Sequence, residues 1–479
     1  MLFKRKKVCS VREDERKFLF ENTSVARAVA RLAIPTMIGQ IIGVIYNMAD
    51  TFFVGQTGSD AMLAAVTVCM PAFMLLTAVS NLFGVGGASA ISRSLGKKNL
   101  KRAGRCSSFS FYGCMLATLL YSLFVWLFID RFVDMLGGID PVVHACAREY
   151  LTVTVVIGGL ATSMNALLAH LLRSEGRSMH AAWGVMMGGL LNIVLDPLFM
   201  FVILPRGREA FGAALATALS NTIALAYYII VLARAGKKHS VLSFVPDKAS
   251  LSDGIPMEIL SIGLPAFMMT TCENISYAVM DALTAGHGLT YQAGLGVAKK
   301  VNMLAHCAVR GIAQGALPLI AYNCASKNYR RMRAAIRITM GSSAAVASAC
   351  MVLNLLVSRP LVGVFIRTIP AAEYGAVYLK ILCIGCPFSA LAYTLISFFQ
   401  AVKEGRTSLM LALMRKGVLD IPMLFLLNRL WPPFGLAWAT PVADIICCVA
   451  AIGCYLAFMR KRVGNRQSNP LSGASATVV

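Results

Sequence analysis

Long apolar runs alternate with short polar segments along the chain, and this pattern predicts membrane-spanning helices. A helix needs about 20 mostly apolar residues to cross the hydrocarbon core of a bilayer. Runs of that length, numbered here as spans 1 to 12, occur at about 29–54, 61–91, 106–129, 148–171, 179–204, 211–234, 257–284, 292–320, 334–358, 376–400, 408–430 and 435–459. The pattern therefore predicts an all-α polytopic membrane protein with twelve transmembrane helices.

The composition agrees with this interpretation and fixes an orientation. Hydrophobic residues make up 57% of the 479 residues and charged residues 14%, which excludes a disordered chain and a typical soluble enzyme. The net charge of +23 does not indicate nucleic acid, because Lys and Arg collect between the apolar runs. With the N-terminus inside, inner segments carry 32 of the 45 Lys and Arg, and outer segments carry eight. Both termini are therefore predicted to be cytoplasmic.

The two halves of the chain repeat each other at a shift of roughly 230 residues. Matching pairs include Pro35 with Pro265, Asp50 with Asp281, Asn99 with Asn328, and Asp196 with Asp420. Six spans per half is an even number, so both halves enter the membrane from the same side. We therefore expect two six-helix lobes related by a pseudo-two-fold axis along the membrane normal, with a central cavity and alternating access.

The repeat also predicts where the lobes begin and end. The expected units are a basic cytoplasmic N-terminal tail, an N-terminal lobe, a cytoplasmic linker, a C-terminal lobe and a cytoplasmic C-terminal tail. Their predicted ranges are 1–28, 29–234, 235–256, 257–459 and 460–479.

Acidic and polar residues inside the first half form a candidate cation site. Span 1 carries Asp50, and span 5 carries Asn192 and Asp196, whose i,i+4 spacing puts both on one helix face. Span 6 offers Thr217. A carboxylate pair with amide and hydroxyl oxygens suits a hard cation such as Na⁺, and a close pair can also carry a proton. A structural interpretation stays open: Asp50 meets water, and Asp196 ties helices together.

The second half carries its own charged residues, which we call the second-lobe cluster: Glu273, Asp281, Lys299, Lys300 and Asp420. Charge inside a membrane costs at least ~2.5–3.5 kcal/mol per group, so each instance needs a reason. Acids and bases here can neutralise each other within the lobe, or they can take part in substrate binding. Both interpretations stay open at this point.

Several motifs in order resemble those of the multidrug and toxic compound extrusion (MATE) family, and the fifth-span motif resembles its DinF-like branch. They are YNMADTFFVG at 46–55, SRSLG at 92–96 with Asn99, NIVLDP at 192–197, GAALAT at 212–217 and GIAQG at 311–315. The resemblance extends from about 25 to 460. Glu273 and Asp281 depart from this branch, and Glu273 is similar to an acid of a Na⁺-coupled branch.

The resemblance implies a transporter of the bacterial cytoplasmic membrane that exports amphipathic or cationic compounds in exchange for H⁺ or Na⁺. It implies that Asp50, Asn192, Asp196 and Thr217 form the coupling site, and that they bind Na⁺ if sodium is the coupling ion. We expect no enzymatic activity, no cofactor, no nucleic-acid partner and a monomer.

Two alternatives remain. A lipid-linked precursor flippase of the same superfamily is favoured by the basic residues Lys299, Lys300 and Lys416. A polytopic membrane enzyme is the other alternative, but the sequence contains neither an H-E-x-x-H motif nor a P-loop.

Overall fold

A computed structural model describes residues 18–57, 59–137, 140–205, 207–366 and 368–467. Those residues are almost entirely helical and contain no β-strand. Most of the N-terminal tail and the end of the C-terminal tail, residues 1–17 and 468–479, lie outside the described part of the chain.

The first half contains spans 1 to 6. Spans 1, 2 and 3 are continuous helices at Val25–Gln56, Asp60–Gly96 and Leu100–Leu127, and a short helix follows at Ile129–Leu136. Span 4 consists of Pro141–Leu151, a π-helical turn at Thr152–Ile157 and Gly159–Ser174. Span 5 runs through Ser178–Pro197 and a π-helical stretch at Leu198–Ile203, and span 6 is Glu209–His239.

The second half contains spans 7 to 12. Spans 7, 8 and 9 are Ile255–Ala285, Leu289–Ala325 and Tyr329–Gly363. Span 10 consists of Ile369–Ile384 and Cys386–Ala401, and span 12 is Gly435–Gln467. Span 11 is the most broken, with Gly405–Leu413, a π-helical turn at Met414–Val418 and Asp420–Leu430.

Within the described residues, nine helices are long and apolar enough to cross a membrane, and two bent pairs form further spans. Span 11 is the exception, because its broken middle contains Arg415, Lys416 and Asp420. Large apolar side chains such as Leu116, Trp126 and Leu356 are exposed on the outside of the helices. An apolar exterior is what a surface in contact with lipid requires.

The bends of the two halves occur at matching positions. Span 4 bends by 49° at Gly158 and span 10 bends by 44° at Gly385. A Cβ at Gly158 would lie 2.8 Å from the Cβ of Ala218 in span 6, and one at Gly385 would lie 2.9 Å from the Cα of Pro441 in span 12. The missing side chain therefore lets the bent span pack closely on the last span of its lobe.

The helix starts repeat as well. The side chain of Asn99 accepts a hydrogen bond from the Arg102 amide at 2.9 Å, and Asn328 accepts one from the Arg331 amide at 3.1 Å. Each Asn satisfies an amide that the first helical turn leaves without a partner. The sequence repeat, the bends and the helix caps together show that the two six-helix lobes are structural repeats of each other.

Candidate functional site

Small residues on span 5 bring spans 1, 5 and 6 together. A Cβ at Gly189 would lie 3.1 Å from the Ile42 side chain and 3.2 Å from the Tyr46 ring of span 1. A Cβ at Gly184 would lie within 2.4 Å of the Tyr228 ring of span 6. Side chains at these positions would push the neighbouring spans away, so the glycines set the distances at which the polar residues of the three helices meet.

Asp50, Asn192, Asp196 and Thr217, which we call the first-lobe site, are all buried in this contact region. The amide nitrogen of Asn192 donates to Asp196 Oδ1 at 3.1 Å and lies 3.3 Å from Thr217 Oγ1. The i,i+4 pairing within span 5 is therefore present, and span 6 contributes the third member. Asp50 lies close enough for its charge to act on Asp196.

Three oxygens of the first-lobe site accept no hydrogen bond from the described protein groups: Asp50 Oδ1, Asn192 Oδ1 and Asp196 Oδ2. A buried polar atom without a partner costs free energy, so such a group requires an explanation. These three are carboxylate and amide oxygens from two adjacent spans. Together with the hydroxyl of Thr217 they form a ligand set that suits Na⁺, and the carboxylates can equally hold a proton.

The second lobe has a counterpart with different chemistry around Asp420. Asp420 Oδ1 accepts a hydrogen bond from the Thr440 hydroxyl at 3.0 Å. Asp420 Oδ2 accepts one from Ser276 at 2.5 Å and one from the Lys416 ammonium at 3.1 Å. Both carboxylate oxygens are therefore satisfied, and the charge is balanced by a lysine one helical turn earlier.

Among the further ion pairs of the same lobe, two with little solvent exposure join neighbouring spans. Arg310 Nη2 is 2.6 Å from Glu273 Oε2, which joins spans 8 and 7. Arg415 Nε is 2.7 Å from Asp444 Oδ1, which joins spans 11 and 12, and both side chains are about 1% exposed. Paired in this way, buried charges largely offset each other and hold helices in register.

The residues of the second-lobe cluster do not all lie together in the structure. Glu273 and Asp420 belong to the buried group just described. Asp281 is half exposed and pairs with Lys299 instead. Lys300 is exposed, and its charge acts on Asp50 of the first lobe, so it belongs to the region between the lobes.

The sequence analysis singled out none of Asp444, Arg415 and Arg310 as site residues. A signal was present for Asp444, because it is an acid inside the apolar run of span 12, where charge calls for a partner. The sequence gives no corresponding signal for which base pairs with it, since pairing depends on how spans 11 and 12 pack.

The lobes meet closely where the end of span 2 lies beside the start of span 7. A Cβ at Gly86 of span 2 would lie 2.2 Å from the Ile259 carbonyl, and one at Gly263 of span 7 would lie 1.7 Å from that of Leu82. Arg93 and Arg102 of the first lobe each place Nη2 2.8 Å from a different oxygen of Glu258 in the second. This end of the lobe interface is tightly closed.

Two six-helix lobes, a lobe interface closed at one end and a group of buried oxygens without protein donors are features expected of a membrane transporter. The chain belongs to the MatE family, whose profile matches residues 35–198 and 265–426, one region in each lobe. The predicted family is confirmed, and the two matched regions coincide with the internal repeat.

Relatives include the multidrug export protein MepA of Staphylococcus aureus strain MRSA252, which is 30% identical over 440 residues. MepA of Staphylococcus haemolyticus strain JCSC1435 is 29% identical over 444 residues. Each alignment covers 92% of this chain and 95% of the relative.

Solved MATE structures share the fold. One in complex with MaL6 matches with a TM-score of 0.84 at 22% identity, covering 94% of this chain and 99% of the other. A multidrug resistance MATE family transporter of the MOP superfamily, in an outward-facing conformation, matches with a TM-score of 0.83 at 22% identity, covering 94% and 98%. The likeness confirms the all-α fold with two lobes.

Proposed function

We propose that this chain is a secondary antiporter that expels amphipathic or cationic compounds in exchange for H⁺ or Na⁺ bound at the first-lobe site. Membership of the MatE family and the multidrug export relatives support the export of small molecules. The proposed environment is a bacterial cytoplasmic membrane with both termini inside. Because one chain supplies both lobes, the proposed working unit is a monomer.

One observation carries the choice of site. The acceptor oxygens of Asp50, Asn192 and Asp196 that lack donors lie together in the first lobe. In the second lobe, both oxygens of Asp420 already have donors, Glu273 is paired with Arg310, and Asp444, which has one open oxygen, is paired with Arg415. A site that exchanges an ion during transport needs ligands that the protein itself leaves open.

The closed end of the lobe interface supports alternating access. With both termini inside, the contacts of Glu258 with Arg93 and Arg102 would lie on the cytoplasmic side and close it. Export then requires these ion pairs to break so that the cavity opens to the cytoplasm. Binding of a cation or proton at the first-lobe site would change how span 1 packs on spans 5 and 6 and so bias that transition.

The flippase alternative loses part of its support. It relied on Lys299, Lys300 and Lys416 as a basic surface for an anionic headgroup. Lys299 pairs with Asp281, and Lys416 is buried and donates to Asp420. Two of the three cations therefore already have anionic partners inside the protein.

Transport by purified protein in liposomes tests the proposal. A fluorescent cationic dye is loaded, and its movement is followed under an imposed Na⁺ gradient and, separately, under an imposed pH gradient. Wild type should respond to at least one gradient, and Asp50→Asn should lose that response. The matched control is Asp281→Asn, the counterpart of Asp50 in the second lobe, which should keep most of it.

The two substitutions make the outcome decisive. Equal loss in Asp50→Asn and Asp281→Asn would contradict a coupling site confined to the first lobe. Dye movement that follows neither gradient in wild type would contradict antiport itself.

A further inference from the structure

Spans 5 and 11 each carry an aspartate at matching positions, but the residue four positions before that aspartate differs. Asp196 is preceded at four residues by Asn192, and Asp420 is preceded at four residues by Lys416. Asn192 Nδ2 lies 3.1 Å from Asp196 Oδ1, and Lys416 Nζ lies 3.1 Å from Asp420 Oδ2. The second lobe therefore places a cationic nitrogen where the first lobe has a neutral amide.

The surroundings of the two acids also correspond. Thr217 in the first lobe matches Thr440 in the second, and each hydroxyl takes part in its site. Tyr46 matches Tyr277 at the same shift that relates Asp50 to Asp281. The Lys416 ammonium lies 5.3 Å from the centre of the Tyr277 ring, a distance at which a cation is attracted to an aromatic face. The lysine nitrogen thus has the anionic and aromatic neighbours of a bound cation, and its carboxylate partner is also bound by hydroxyl groups.

We infer that the Lys416 ammonium is a built-in cation that fills the second-lobe counterpart of the first-lobe site, and that removing it uncovers a second site for a monovalent cation. The inference rests on the proposed function, because it takes the first-lobe site as one that binds an ion from solution. An ammonium held by its own side chain cannot leave, so the second lobe exchanges no ion. The first lobe alone then sets the ion dependence of the transport cycle.

The uncovered site would suit Na⁺. Its main ligand would be the carboxylate of Asp420, which also accepts hydrogen bonds from the hydroxyls of Ser276 and Thr440. Carboxylate and hydroxyl oxygens are hard ligands that favour hard cations. In Lys416→Asn the new amide oxygen would add a ligand and recreate the Asn-x-x-x-Asp pattern of span 5.

Thermal stability of purified protein, measured with NaCl or choline chloride at constant ionic strength, tests this. The background is Asp196→Asn, so that the first-lobe site does not contribute. Asp196→Asn alone should show no Na⁺-specific stabilisation. Adding Lys416→Asn should create one, raising the ratio of folded to unfolded protein about elevenfold when Na⁺ reaches ten times its Kd. Adding Asp420→Asn to that variant should abolish the gain.

A second measurement covers the case in which Lys416→Asn folds poorly. Lys416→Ala, which leaves the most space, is solubilised in NaCl, in methylammonium chloride or in choline chloride. Na⁺ and methylammonium should restore folded yield, and choline, which is too large for the site, should not. Equal yields in all three salts, together with no Na⁺-specific gain in the first experiment, would overturn the inference.

The outcomes separate the inference from the function on which it rests. If Asp196→Asn leaves gradient-driven export intact but Lys416→Asn still gains Na⁺ dependence, the second-lobe site stands and the assigned coupling site is wrong. If Asp196→Asn abolishes export but Lys416→Asn gains nothing, the coupling site stands and the built-in cation is wrong.

Discussion

The first-lobe site and the region around Asp420 are copies of one arrangement that differ in how their charge is balanced. Asp196 receives one neutral amide donor and keeps an oxygen open. Asp420 receives two hydroxyls and an ammonium. In our proposal, a single side chain, asparagine or lysine, thus separates an acid that exchanges a cation from one that is held in a fixed ion pair.

The same comparison predicts different consequences of mutation in the two lobes. Removing an acid from the first-lobe site leaves no buried opposite charge without a partner, so the expected loss is of transport and not of stability. Removing one partner of a buried ion pair leaves an uncompensated charge, which costs far more than the pair itself contributes. We therefore expect loss of transport in the first lobe and loss of folded protein in the second.

The largest expected effect is on transport by Asp196→Asn. The substitution removes one charge from the first-lobe site without changing the shape of the side chain, so coupled export should fall to that of cells without the transporter. Drug resistance in a pump-deficient bacterium measures export, and fluorescence-detected size exclusion of the same cells measures folded yield. Wild-type resistance in a well-expressed Asp196→Asn strain would refute the assignment.

The next effect is on folding of Asp420→Asn. This change leaves Lys416 buried without its carboxylate, which should cost about 3–5 kcal/mol and sharply reduce folded yield. The double variant Lys416→Met with Asp420→Asn removes both charges and should recover much of the yield. A single Asp420→Asn variant with normal yield and thermal stability would show that the lysine is not held by this pair.

A smaller effect is expected for the pair of Glu273 and Arg310, whose side chains are 12% and 18% exposed. Glu273→Gln and Arg310→Met should each lower thermal stability, and the double variant should lower it by less than their sum. The interaction energy from such a cycle should fall within about 0.5–3 kcal/mol. Strict additivity would mean that the two charges do not stabilise each other, and a role of Glu273 in ion or substrate binding would then deserve testing.

The smallest effect is expected for the helix caps, which the two lobes share unchanged. Asn99→Ala and Asn328→Ala each remove a helix cap, and each should cost about 0.5–2 kcal/mol. Because the capped amides and distances correspond, the two losses should be similar in a thermal-shift measurement. Markedly unequal losses would show that the lobes differ in stability beyond their charged residues.

The family, the helical fold and the two lobes could be predicted from the sequence, because apolar runs and a repeated order of motifs are local features. Within the first-lobe site, the pairing of Asn192 with Asp196 followed from helical spacing alone. Thr217 could be named as a polar residue of span 6, and the structure places it beside Asn192.

The ion pairs of the second lobe could not be assigned in this way. Lys299 and Lys300 are adjacent in sequence, yet Lys299 pairs with Asp281, whereas the charge of Lys300 also acts on Asp50 of the first lobe. Neighbouring residues on a helix point in directions about 100° apart, so adjacency says nothing about partners. Arg415 with Asp444 likewise depends on the packing of two spans, which no short motif records.

The linker is bound almost wholly to the first lobe. Glu175 accepts hydrogen bonds from the amides of Val241 and Leu242 at 2.5 and 3.1 Å, and Tyr112 donates to the Phe244 carbonyl at 2.8 Å. Further along, Asp247 contacts Arg105 of span 3. The Ala249 amide, with help from Arg105, lowers the pKa of Asp247, so this anchor stays ionised at neutral pH.

The segment that connects the anchored part of the linker to span 7 is therefore much shorter than the whole linker. Past Asp247, only residues 248–254 precede the start of span 7 at Ile255, and seven residues reach at most about 25 Å when fully extended. We expect this connecting segment to limit how far the lobes separate at the end that we propose to be cytoplasmic. Lengthening it with glycine and serine should then widen the opening without changing the first-lobe site.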